Sequence, residues 1–241
     1  MNLVIDIGNT RAKLAVFEKD TLIKLKIIKT DKLYKKVKQF FENYKINNTI
    51  ISSVTKTPSK TLNFLTKKCF YIDLSCETKI PFHNLYQTPT TLGVDRIALI
   101  SGAIHLKNHQ NTLVIDAGTC ITYDFVNSQN EYFGGAIAPG IEMRYKALNQ
   151  FTANLPLLKA QTIPLNGNTT KNAIHKGVIN GILLEIEGII QQYKTKNKDL
   201  TIVLTGGDTN FLVEMLKSSI FANSNFLLEG LNYILNYNLQ K

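Results

Sequence analysis

Two rhythms of apolar residues alternate along the chain. Short β-branched runs predict strands at residues 3–7, 13–18, 21–30, 49–54 and 70–74. Between them the apolar positions take helical spacing. In DKLYKKVKQFFENY, Leu33, Val37, Phe40, Phe41 and Tyr44 share one face, so helices are predicted at 32–44 and, by the same pattern, at 59–67. A polar, proline-bearing stretch at 81–89 reads as a passage between halves, which sets a boundary between residues 1–88 and 89–241. Beyond it, helices are predicted at 94–106, 140–149, 170–193, 209–217 and 228–239, with strands at 112–116, 121–126, 132–138 and 200–205. A three-strand meander followed by alternating helix and strand, run through twice, describes an α/β protein with two mixed sheets rather than a doubly wound Rossmann sheet.

The two halves open on nearly the same phrase. LVIDIGNTRAKLAVFE begins at Leu3 and LVIDAGTCITYDFVNS at Leu113, an offset of 113 − 3 = 110 residues. Each copy is a buried-strand run that ends in Asp and turns through Gly, which puts a carboxylate and bare backbone N–H groups at the strand tip. Two such tips facing each other across a cleft can hold a metal–nucleotide phosphate group, so the repeat points to phosphotransfer. In the first copy Asp6 stands at the metal–phosphate end, Gly8 admits a phosphate, Asn9 and Thr10 offer polar donors and Lys13 adds positive charge. Taken alone, an ordinary hairpin would explain Asn and Gly equally well; the second copy favours phosphate. There Asp116, Gly118 and Thr119 keep the pattern, while Cys120 and Ile121 replace the Asn–Thr–Arg region. The segment GVDR (Gly93, Val94, Asp95, Arg96) sets an acid beside a base at a helix start. Those two residues can supply a proton acceptor and an anion contact, or simply a dipole partner and a surface charge. Neither GxGxxG nor GxxxxGK[ST] occurs, which removes the dinucleotide and P-loop readings.

Composition adds exclusions. With 44% hydrophobic and 19% charged residues the chain is ordinary globular protein, not disordered. The net charge of +10 raises the question of nucleic acid, but the lysines are spread thinly and several form the solvated face of the first helix. No apolar stretch approaches the ~18 residues of a membrane span, and the opening NLVID lacks the form of a secretory signal. Three scattered cysteines without CxxC suit a reducing cytoplasm and argue against a disulfide framework or zinc site.

In order and spacing, DIGNT from Asp6, TLGVDR from Thr91, DAGT from Asp116 and FGGAIAPG from Phe133 resemble type III pantothenate kinases, within the superfamily of acetate kinase, sugar kinases, Hsp70 and actin. The likeness runs from residue 3 to the TGG of Thr205, Gly206 and Gly207, which resembles the superfamily's adenosine turn, although no adenine slot is evident nearby. It implies a duplicated ribonuclease-H-like (actin-like ATPase) fold and transfer of phosphate from ATP with Mg²⁺ to the primary hydroxyl of pantothenate, the first step of coenzyme A synthesis. By the same resemblance Asp95 takes the hydroxyl proton, and Tyr86, Gly93, Val94, Asp95 and Arg96 hold pantothenate. Asp6, Gly8, Asn9, Thr10, Lys13 and Thr119 hold ATP, with Asp6 towards Mg²⁺, and Asp116 holds a monovalent cation, potassium or ammonium. Thr170 reaches pantothenate from the partner's helix in a homodimer, or serves as a helix cap. Gly177 and Gly181, four apart on that helix, suggest a close helix–helix approach, and Gly134, Gly135, Pro139 and Gly140 read as packing beside the site. A transcription accessory regulator and another small-molecule kinase of the superfamily are the alternatives. The short chain and the GVDR–FGGAIAPG pair stand against the second.

Overall fold

The structure, a computed structural model, describes residues 1–8, 11–162 and 166–240, in two compact units. The first comprises Met1–His109, Asn130–Phe133 and Asn225–Lys241; the second comprises Gln110–Gln129 and Gly134–Ser224. Helix 94–106 and the C-terminal helix thus belong to the first unit, a different partition from a cut after residue 88.

The first unit holds strands β1 (Asn2–Ile7), β2 (Arg11–Glu18), β3 (Thr21–Lys29), β4 (Asn48–Ser53) and β5 (Phe70–Asp73), in the order β3-β2-β1-β4-β5. β1 and β2 pair antiparallel, as do β2 and β3, while β4 and β5 join parallel through helices α1 (Leu33–Asn43) and α2 (Ser59–Lys68). Leu3, Val4, Ile5 and Ile7 of β1 are fully buried, the near-continuous apolar run that a central strand covered on both faces requires. Leu33, Val37 and Phe40 of α1 bury the predicted face in one core with Ile5, Leu14 and Leu65. The edge strand β3 leaves Lys24, Lys26 and Lys29 exposed, a charge pattern that discourages strand addition and absorbs part of the net charge. Two more helices, α3 (Val94–Leu106) and α8 (Phe226–Leu239), pack together here. Buried amides fix α8 to the sheet: Asn2 Nδ2 donates to Asn232 Oδ1 (2.9 Å) and Asn236 Oδ1 (2.8 Å), and Asn232 Nδ2 donates to the Lys19 carbonyl (2.8 Å).

The second unit repeats the plan. Strands β7 (Thr112–Ala117), β8 (Cys120–Val126), β9 (Glu131–Pro139, whose residues up to Phe133 count with the first unit), β10 (Thr201–Thr205) and β11 (Phe221–Ala222) follow the order β9-β8-β7-β10-β11, which maps strand for strand on the first sheet. Two mixed sheets of like topology bear out the duplicated α/β expectation. Helices α4 (Ile141–Gln150), α5 (Thr170–His175), α6 (Gly181–Lys196) and α7 (Thr209–Val213) complete the unit, with a π-helical turn at Lys176–Asn180 joining α5 to α6. Its core runs from Leu113 and Ile115 through Ile179, Ile182 and Ile186 to Leu204 and Leu212.

Three predictions need correction. The strand β6 (His83–Asn84) lies inside the stretch read as a linker and pairs parallel with Glu131 and Tyr132. Helix α7 ends at Val213, not near 217, because Glu187 captures the exit: its carboxylate accepts from the Lys217 and Ser218 N–H groups (2.6 and 3.0 Å) and the Ser218 hydroxyl (2.6 Å). The cap of α5 is Thr169, not Thr170. Thr169 takes the extended backbone of an N-cap and its Oγ1 accepts from Asn172 N–H (3.2 Å), leaving Thr170 as the first helical residue.

Candidate active site

In the first unit the strand register brings chemistry to the tip of β1. Asp6 lies directly across from Lys13 on β2 and from Ser52 on β4. The Ser52 hydroxyl is buried, faces Asp6 and is bonded to no other group among the described residues. Burial, with a further push from Asp95, lifts the Asp6 carboxyl from its ordinary 3.8 to about 6, against the opposing pull of Lys13 and Ser52. The turn that follows is closed by Gly8 N–H donating to the Arg11 carbonyl (2.9 Å). Asn9 and Thr10 lie outside the described residues.

Asp95 is in the first turn of α3, whose N-cap is Gly93 with Val94 as first helical residue. Its Oδ1 accepts from the Arg96 N–H at 2.8 Å. Any side chain at position 93 would collide with that same oxygen, so glycine leaves the carboxyl its place. Arg96 is only 6% exposed, which demands stabilisation of its charge. Its guanidinium lies 5.6 Å from the Tyr86 ring centre and 6.0 Å from that of Tyr132, and the two rings stack at 6.2 Å. Asp6, Lys13, Tyr86, Gly93, Val94, Asp95 and Arg96 therefore belong to one unit, with an acid pair and an aromatic-flanked cation within it.

In the second unit, Asp116 is the counterpart of Asp6, but its cross-strand neighbours are Thr122 and Thr205 instead of a lysine and a serine. The buried Thr122 hydroxyl finds no partner among the described residues. This turn is one residue shorter: Ala117 pairs with Ile121, whereas Ile7 pairs with Ala12. Thr119 is exposed on it. Gly206 has φ +99°, and a side chain there would strike Asp116 Oδ1 and the Ala117 carbonyl. Gly140 presses equally closely on the Gly118 and Thr119 carbonyls, and its N–H donates to the latter (3.1 Å), as packing beside the turn requires. Thr170 is exposed in this unit, and a methyl group added at Gly177 or Gly181 would meet nothing within 4 Å among the described residues.

Sequence reasoning missed several participants. Ser52 becomes visible only once β1 and β4 are known to pair in register, and Tyr132 only through its stacking on Tyr86. A cavity of about 330 Å³ opens just past the second turn, between Ile141, Glu142 and Tyr145 on one side and Leu157, Leu158 and Asp208 on the other. Burial, and then Glu142, push the Asp208 carboxyl up. Among the described residues, no group of three or more His, Cys, Asp or Glu side chains could hold a metal alone.

Residues 2–192 match the family model for type III pantothenate kinase. The type III pantothenate kinase of Christiangramia forsetii is 48% identical over 247 residues, covering 99% of each chain. Among solved structures, a conserved Baf family protein from Campylobacter jejuni, named for transcriptional activation, is similar with TM-score 0.65 and 23% identity over 99% of this chain and 100% of that one. A ROK family glucokinase from Streptomyces griseus, solved with glucose and AMPPNP, has TM-score 0.55 at 9% identity over 100% and 99%. Both structural likenesses speak to the fold, which is that of the actin-like ATPases and ROK sugar kinases.

Proposed function

This chain belongs to the type III pantothenate kinase family, and we propose that it transfers the γ-phosphoryl group of ATP to the primary hydroxyl of pantothenate, with Asp95 as the proton acceptor. The observation that carries the residue assignment is the grouping of Asp6, Asp95 and the aromatic-flanked Arg96 in one unit.

Membership of a kinase family implies ATP with Mg²⁺. The residues fit that group. Asp6 is a carboxylate whose ionised form is disfavoured by burial, so a cation beside it is welcome, and Ser52 adds a second hard oxygen. Mg²⁺ keeps several waters and shares phosphate oxygens, so it asks for few protein ligands. When bound, ATP supplies the phosphoryl group and Mg²⁺ offsets its charge.

Asp6, Gly8, Asn9, Thr10 and Lys13 are assigned to the phosphates from the first turn, and Thr119 from the second. Lys13 stands beside Asp6 to neutralise charge that builds on the transferring group. The cavity beside Asp208 is our assignment for the base. Asp116 is assigned a monovalent cation: where Asp6 has a lysine opposite, Asp116 has the neutral oxygens of Thr122 and Thr205, a set suited to potassium or ammonium.

Arg96 takes the pantothenate carboxylate; its guanidinium stands beside the stacked rings of Tyr86 and Tyr132, so that its charge is aimed without being fully solvated. Gly93 and Val94 shape the wall, and Asp95 withdraws the hydroxyl proton as the oxygen attacks. Thr170 is assigned to pantothenate of the partner in a homodimer, whose helix contact would cover the open face at Gly177 and Gly181. The 1–88 and 89–241 halves are proposed as the two copies of the fold. Residence in the cytoplasm accords with three free cysteines and with no described helix long and apolar enough to cross a membrane. The test is Asp95→Asn, which should cut kcat between about a hundredfold and ten-thousandfold, the range for a lost general base, while nucleotide affinity stays within a factor of about two. Near-normal kcat in a folded variant overturns the assignment.

A further inference from the structure

Arg144 and Glu185 form a polar clamp around the second turn that no part of the phosphotransfer chemistry uses. Glu185 on α6 accepts from the Tyr123 hydroxyl through Oε1 (2.7 Å) and from Arg144 Nη2 through Oε2 (2.6 Å). Arg144 on α4 spends its Nε–H on the Pro139 carbonyl at 2.9 Å. Each end lands on a flank of the turn. Tyr123 is on β8, the strand that leaves the turn, and is 1% exposed. Pro139 precedes Gly140, whose N–H bonds the Thr119 carbonyl and which has no room for a side chain against Gly118 and Thr119. Burial, and then Glu185, hold the Tyr123 hydroxyl protonated far above its ordinary range, so it remains a donor. Arg144 and Glu185 are each about three-quarters shielded, which makes these charge-assisted bonds stronger than surface pairs.

We propose that Glu185 and Arg144 are positioning residues for nucleotide binding. Through Tyr123 on one flank and Pro139 on the other, they fix the separation of β8 and the β9–α4 passage, and so the backbone N–H groups of the Gly118–Thr119 turn. The inference rests on the assignment of that turn to ATP. Losing the clamp loosens the turn without removing any group that touches substrate, so it should weaken nucleotide binding and leave pantothenate recognition alone.

The experiment measures affinity for a non-hydrolysable ATP analogue by calorimetry, and the KM values for ATP and pantothenate, in the parent enzyme, Arg144→Met, Arg144→Lys and Glu185→Gln. Removing both of the charge-assisted bonds that Arg144 makes should weaken the analogue and raise the KM for ATP about tenfold in Arg144→Met. The KM for pantothenate should stay within about twofold. Arg144→Lys keeps the charge but loses the fork to Pro139, and should be impaired nearly as much as Arg144→Met. Should Arg144→Met fail to fold, Glu185→Gln carries the same prediction, because its amide oxygen can still accept from Tyr123 while its N–H₂ turns a donor on the Arg144 donor and breaks that bond. Analogue affinity within twofold of the parent in a folded variant overturns the proposal, as does an equal rise in both KM values. If the parent itself neither binds the analogue nor turns over pantothenate, the kinase assignment fails instead.

Discussion

Replacing Asp6 by Asn should make the empty enzyme more stable while disabling it. The carboxyl is raised from 3.8 to about 6, chiefly by burial, so the folded state disfavours its ionised form. At about 1.36 kcal/mol per tenfold change in acidity, the gap of roughly 2.2 corresponds to about 3 kcal/mol at neutral pH. Water reaches part of this side chain, so the figure is an upper bound. The sign follows from linkage: a group whose folded pKa is raised contributes fully below about pH 4, and that contribution disappears as pH climbs towards 6. Asn, which stays neutral, should therefore match the parent near pH 4 and exceed it increasingly up to about pH 7. For a chain of this size, up to about 3 kcal/mol corresponds to a Tm gain of up to roughly 6–12 °C. The assay is thermal unfolding with EDTA and no nucleotide, at pH 4.5 and 7.5, with turnover measured alongside. A gain no larger at pH 7.5 than at pH 4.5 would refute the reasoning, and so would full activity in the variant.

Other substitutions probe separate links. Gly93→Ala would drive a methyl group into Asp95 Oδ1; kcat should fall about a hundredfold, as displacement of a catalytic group does, while the Tm changes little. Asn232→Ala deletes two hydrogen bonds that hold α8 to Asn2 and to the Lys19 carbonyl within the first unit, and urea unfolding should report a loss of about 2 kcal/mol. Asp116→Asn should erase any advantage of potassium over sodium in the rate; a variant still stimulated by potassium would place the cation elsewhere.

Much of the fold was legible because burial leaves a strong mark on sequence. The runs of β1 and β7 are apolar almost without interruption since both faces are covered, and their repetition announced two sheets of one topology. What escaped depends on contacts distant along the chain. β6 and β11 are two residues each, too short to carry a period, and exist only because β9 and β10 offer them an edge. The end of α7 was set by Glu187, some thirty residues earlier, which no local propensity registers. Thr169 and Thr170 are equivalent caps on paper, and backbone geometry chose the first. In the site, the acids and glycines stood out because turns restrict residue type, whereas Ser52, Thr122 and Tyr132 are ordinary strand residues until the register sets them beside Asp6, Asp116 and Arg96.

The central claim is tested most directly by the rate of ADP release from ATP and Mg²⁺ in a potassium buffer, with and without pantothenate. The account predicts ADP release that depends on pantothenate and saturates with it. A folded enzyme whose ADP release is indifferent to pantothenate would contradict it.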